Sequence, residues 1–367
     1  MSVTGDVIES APPPRRPGLA RAAVIVAAVL AVAAVLISRG THRPTSFDPM
    51  PIVTGPATNP VVALPDHIAT DALAPGVDLG VFVAPTRPPM LVDTTTRTSQ
   101  RLPQVRDGGI DSSFDVTDLG DGRSLIVAWL SSNDAEAYLA VDGTATRIAA
   151  GDGIVVGADG ASVLVSREEG TAGRSIQRYD LAGHEVGGPV PLGPDEYLAA
   201  ETVDGWVVIN DSTNHWQVRD PVTHLVRYQI DEPMAVGPHT LAHALTDGRL
   251  AVDTLPGGNA AISTVVYPRL PATGLVYRAL FSPDARYLAV DLIGVSPIDH
   301  TLLVLDRTTE EWSVLPGTPV RPTDGLPFGM TWGGDVLVVA TGAGAVALWH
   351  PGDPTVYAAP AAQNSAS

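Results

Sequence analysis

The chain has 367 residues, 45% of them hydrophobic, with 36 Gly, 33 Pro and a formal net charge of −18. It has no Cys, which excludes disulfides, thiolate nucleophiles, thiolate metal sites and lipoprotein acylation. Its 22 basic residues are all Arg, and the acidic excess repels phosphates and anionic lipid, so non-specific DNA or RNA binding is excluded as a role.

In chain order, residues 1–18 form a polar, Pro-rich tail with Arg15 and Arg16 near its end. Ala22 to Ile37 is then an uninterrupted run of 16 apolar residues, and with its flanks it makes a stretch over 19–38. That is long enough to cross a bilayer as one transmembrane helix, with Arg21 snorkelling to the surface. Three Arg and the amino terminus precede the run and two Arg follow it, which favours a cytoplasmic tail. Cleavage of a signal peptide after Ala31-Val32-Ala33 is the alternative, giving a secreted protein, but it leaves the apolar stub AVLIS on the product. An uncleaved signal anchor is the simpler reading. Residues 39–59 read as a Pro- and Thr-rich linker holding the remainder off the membrane.

Residues 60–360 read as one all-β repeat array. Val61 to Leu64 is a short strand outside the regular count, either starting the first unit or pairing with the last to close a ring. Two markers then recur. A hydrophobic run ending in a turn residue occurs at Asp93, Asp142, Asp180, Asp220, Pro268, Asp306 and His350, spaced 38 to 49 residues apart. A first-to-second-strand turn occurs at Asp121-Gly122, Asp159-Gly160, Asp204-Gly205, Asp247-Gly248, Asp284-Ala285 and Gly333-Gly334, with Asp78-Leu79-Gly80 the best candidate in the first copy. The agreement of the two markers predicts seven copies, hence a seven-bladed β-propeller, with six or eight blades as alternatives. The marker aspartates are expected to make Asx-turns.

The clearest unit is Arg278 to Gly317. Ala279 to Phe281 is a strand, Ser282-Pro283-Asp284-Ala285 a tight turn, and Tyr287 to Leu292 a second strand. Leu302 to Leu305 and Glu311 to Leu315 complete four strands around the turn Arg307 to Glu310. FSPDARYLAV resembles the FSPDG-x-x-LA stretch of TolB-type and WD-repeat β-propellers, and VLDRTTEEW is similar to the end of their third strand. This copy departs by having Ala285 where the family usually has Gly. The resemblance implies a propeller fold and no particular activity. The Arg-for-Lys bias, with abundant Ala, Gly, Val and Pro, points to a GC-rich bacterial source such as an actinobacterium.

No catalytic, cofactor-binding or metal-ligating residue is assigned. The sequence carries no HExxH, no phosphate-binding Gly loop and no GxSxG elbow. His239 and His243 are expected to share a strand face with no carboxylate ligand fixed beside them. The six Trp (Trp129, Trp206, Trp216, Trp312, Trp332 and Trp349) are expected to pack between blades. The polar insertion Arg167 to Arg174 and the loop Leu255 to Asn259 are candidate contact loops. Residues 361–367 read as a disordered tail. The expected function is a non-catalytic, membrane-anchored binding or scaffolding propeller on the extracytoplasmic side, with a protein or cell-envelope ligand. A propeller enzyme acting on glycans and a cytoplasmic-facing scaffold are the alternatives.

Overall fold

A computed structural model describes residues 79–358, apart from position 97 and the stretches 110–111, 169–172, 211–212, 246–248, 256–260, 271–274, 294–299, 316–328, 341–345 and 354–355. The tail 1–18, the span 19–38, the linker 39–59, Val61 to Leu64 and the tail 361–367 lie outside the described residues. No helix among the described residues is long and apolar enough to cross a membrane.

The described residues form seven antiparallel sheets, each a meander of consecutive strands. Blade 1 is β1 (Val81–Ala84), β2 (Met90–Asp93) and β3 (Thr98–Arg101); blade 2 is β4 (Ser113–Gly120), β5 (Arg123–Ser131), β6 (Asp134–Val141) and β7 (Thr144–Gly151). Blade 3 is β8 (Gly153–Val156), β9 (Ser162–Glu168), β10 (Arg174–Asp180) and β11 (Glu185–Leu192). Blade 4 is β12 (Glu196–Thr202), β13 (Gly205–Asn210), β14 (His215–Arg219) and β15 (Val226–Ile230). Blade 5 is β16 (Ala235–Gly237), β17 (Thr240–Ala244), β18 (Arg249–Thr254) and β19 (Ser263–Arg269). Blade 6 is β20 (Leu275–Phe281), β21 (Tyr287–Ile293), β22 (His300–Asp306) and β23 (Glu311–Val314); blade 7 is β24 (Gly329–Gly333), β25 (Val336–Ala340), β26 (Val346–Trp349) and β27 (Tyr357–Ala358).

The core lies between blades. One apolar cluster fills each of the seven junctions, including that between blade 7 and blade 1, so the ring is closed. The middle strands are apolar on both faces because each face meets a different neighbour. In β21, Leu288, Val290 and Leu292 pack on blade 5, while Tyr287 and Ala289 pack on blade 7. In β25, Val336 and Val338 meet blade 1, and Leu337 and Val339 meet blade 6. Side chains alternating with period two therefore join three blades through one strand.

Six of the expected Asx-turns form among the described residues, at Asp93, Asp159, Asp180, Asp220, Asp284 and Asp306. Asp93 accepts the amides of Thr95 and Thr96, Asp180 those of Ala182 and His184, Asp220 those of Val222 and Thr223, and Asp306 that of Thr308. Donors hold four turn carboxyls below the usual range: foremost the Thr96 hydroxyl at Asp93, the His184 amide at Asp180, the Thr223 amide at Asp220 and the Ser282 hydroxyl at Asp284. Turns after the first and third strands of a meander emerge on the same side, so these carboxylates share one face of the disc.

Blade 5 departs from the expected register. Pro268 lies in β19, the fourth strand of its sheet, and Asp247-Gly248 falls in the chain between the second and third strands. The added strand is the three-residue β16, which turns tightly into β17 at Pro238-His239. Its shortness hid it: three residues show no alternation. In blade 1, β1 and β2 pack against β25 and β26 and so hold the second and third positions from the axis. Among the described residues nothing stands on the axial side of β1, and β4 and β24 come together there.

Candidate functional site: the central channel

The first strands of blades 2 to 7 surround the axis. Two of them carry opposite charges that meet, Asp115 in SFDVTDLG and Arg278 in LVYRALF. The Arg278 guanidinium reaches across from blade 6 and donates to Oδ1 of Asp115 in blade 2. The other carboxylate oxygen, Oδ2, accepts the Trp129 indole N–H at 2.7 Å. Asp291, fully buried, stands directly opposite Arg278 on the neighbouring strand β21. Burial lowers the Arg278 pKa to about 10, opposed by the Asp291 charge, so the guanidinium stays protonated at neutral pH. Burial, together with the Asp291 charge, raises the pKa of the adjacent Tyr277 phenol. Beside this pair, the Thr331 hydroxyl of blade 7 donates to the Val116 carbonyl of blade 2 at 2.7 Å.

These contacts brace the channel. Both oxygens of Asp115 are engaged, so it is placed as a hydrogen-bond acceptor rather than as a proton donor. No group of three or more His, Asp or Glu side chains able to hold a metal occurs among the described residues.

His239 and His243 do not share a strand face as expected. His239 is exposed in the turn between β16 and β17, whereas His243 sits in β17 between two carboxylates. Its Nδ1 lies 3.4 Å from Asp231 and its Nε2 3.4 Å from Asp253. Four tryptophans, Trp206, Trp312, Trp332 and Trp349, are buried in the junction clusters, and Trp129 and Trp216 pack half-buried against two more. Trp332 of blade 7 stacks on Tyr287 of blade 6 with ring centroids 5.7 Å apart. Blades 3 and 4 are tied by Arg178, which donates twice to Glu201, while Glu201 also accepts the Ala158 amide and the Trp206 indole. Of the two candidate contact loops, 169–172 and 256–259 lie outside the described residues. Their flanks include Arg174, stacked 4.0 Å over the Tyr197 ring, and the buried Leu255.

No protein-family model and no curated protein matches the chain. Solved structures similar to it include TolB from Acinetobacter baumannii, at 15% identity and a TM-score of 0.41, covering 77% of this chain. The chain spans 63% of that TolB chain, less than two thirds of its length. A chain of the mitotic checkpoint complex is similar at 13% identity and a TM-score of 0.46, with 96% of this chain and 99% of that one covered. Dihydro-heme d1 dehydrogenase NirN, solved in complex with DHE, is similar at 14% identity and a TM-score of 0.46, with 78% and 76% covered.

Proposed function

We propose that the protein is a non-catalytic binding and scaffolding propeller. Residues 19–38 hold it to the cell membrane with the propeller on the extracytoplasmic side, and its ligand is a protein or a cell-envelope component. The observation that carries this reading is the state of the channel, where Arg278, Asp115 and Trp129 are spent on one another. A braced axis leaves the faces and rim of the disc as the surfaces on offer, and rigid scaffolds present contacts through such loops. The apolar run Ala22 to Ile37 supports the anchor.

The test is protease treatment of intact cells stripped of their outer wall, with the full chain tagged at its C-terminus. Loss of the tag supports an extracytoplasmic propeller, and protection of the tag in unlysed cells sinks that placement. Comparing the sizes of cell-bound and released protein separates an anchor from a cleaved signal peptide. Turnover of a glycan panel by the purified full chain, lost on changing Asp115 or Asp291, would overturn the non-catalytic part.

A further inference from the structure

Glu136 in β6 is a buried carboxylate, its side chain only 5% exposed. One cation suffices to compensate one buried carboxylate, yet two guanidiniums reach it. Arg147 of β7 donates from Nη1 to Oε1 at 3.1 Å. Arg106, in the connection between β3 and β4, brings its own Nη1 to 3.5 Å from the same oxygen. The second oxygen, Oε2, accepts the Tyr138 hydroxyl, and that hydroxyl oxygen accepts the Arg106 backbone amide at 3.1 Å. Burial, with help from the Glu136 hydrogen bond, pushes the Tyr138 phenol up to about 12, so it remains a donor.

Glu136 is thereby saturated, while its two arginines are not. Each guanidinium has five N–H donors in a planar fork. Arg106 is 57% exposed and Arg147 60% exposed, and one nitrogen of each approaches the same Glu136 oxygen. Among the described residues, Asp134 also lies 3.3 Å from Arg106 and is itself 42% exposed. This is a preorganised pair of guanidiniums at the edge of blade 2, on a chain that is otherwise strongly acidic.

We propose that Arg106 and Arg147 form a carboxylate-binding site on the rim of blade 2, held in place by buried Glu136 and Tyr138. The site would receive a side-chain or terminal carboxylate of a partner protein. A planar carboxylate matches the guanidinium fork. A dianionic phosphate is disfavoured relative to a monoanionic carboxylate, because it brings twice the charge up to Glu136, Asp134 and a chain that carries −18. The site stands whichever side of a membrane the propeller faces.

The experiment uses the purified full chain in detergent, titrated with sodium acetate and, separately, with sodium phosphate. Sodium chloride keeps the ionic strength constant, and the thermal midpoint is the readout. Acetate is expected to raise the midpoint saturably in the wild type. The rise should be lost in Arg147→Gln and Arg106→Gln, each checked for folding by circular dichroism. Glu136→Gln removes the internal competitor and is expected to tighten acetate binding severalfold, which a merely structural arginine pair would not do. Arg147→Lys keeps the charge but not the fork and should weaken binding partially. No saturable acetate effect, or an effect unchanged in both Gln variants, would overturn the site. Tighter binding of phosphate than of acetate would overturn its ligand class.

Discussion

Thr331 in β24 and Val116 in β4, 215 positions apart, are joined by a buried hydroxyl-to-carbonyl hydrogen bond of 2.7 Å. The bond links blade 7 to blade 2 on the axial side of blade 1, where the ring has one layer fewer among the described residues. A buried carbonyl left without its donor costs about 1–3 kcal/mol. Thr331→Val is therefore expected to lower unfolding free energy by that amount in urea titration, and Thr331→Ser to retain most of it. Gly329 belongs to the same closure. A side chain there would run into the Pro85 carbonyl, so Gly329→Ala is expected to be the more damaging change.

The ion pair across the channel makes a second prediction. Replacing Arg278 by Met removes the cation that Asp115 accepts from and that the buried Asp291 stands opposite. Breaking a buried pair from one side costs about 3–5 kcal/mol. Arg278 is a quarter exposed and Asp115 is 42% exposed, so solvent screening lowers the expectation to about 2–3 kcal/mol. Asp115→Asn keeps an acceptor for Trp129 and should cost less. If Arg278→Met unfolds at the wild-type urea midpoint, the pair does not brace the channel.

Blade count and most of the register were legible because the turn chemistry is local. An Asp that bonds amides two or three residues on, as at Asp93 and Asp220, must be close in sequence to what it binds. The alternation of the middle strands, buried on both faces, merges into plain apolar runs, and that still reads as strand. Blade 5 misled because the tight turn at Pro238-His239 carries no Asp-Gly marker and β16 is too short to show a pattern. The channel pair was out of reach for a different reason: Arg278 and Asp115 are 163 positions apart, and no local rule links them. The available signal was a lone charge inside each strand, Arg278 within LVYRALF and Asp291 within YLAVDLI. The Glu136 cluster was similarly hidden, since Arg106 comes from an irregular connection.

Ala285 departs from the Gly usual in the propeller turn it resembles, and its backbone has φ of +55°. The turn forms nonetheless, with the Ala285 amide on the Ser282 carbonyl at 2.8 Å and Asp284 accepting the Arg286 amide. A left-handed residue with a Cβ carries about 1 kcal/mol of strain that Gly avoids, offset in part by the greater freedom of Gly when unfolded. Ala285→Gly is expected to stabilise by about 0.5–1 kcal/mol, read as a higher thermal midpoint. A lower midpoint would mean that the turn is not strained at this position.

Asp306 gives the pH prediction. Burial raises its pKa, but the Arg286 guanidinium at 2.7 Å and the Thr308 hydroxyl and amide outweigh that, leaving it at about 2 against an ordinary 3.8. A lowered folded-state pKa means that the unfolded chain takes up the proton first on acidification. The stabilisation is thus fully present above pH 4 and is lost as pH falls toward 2. With Arg286 44% exposed and the pair screened, it amounts to about 1–2 kcal/mol. Asp306→Asn should be less stable than wild type by that margin at pH 7, and the gap should close by pH 2. A gap that stays constant across this window would mean that the Asp306 charge contributes nothing, and that the Asx-turn acts through its neutral hydrogen bonds alone.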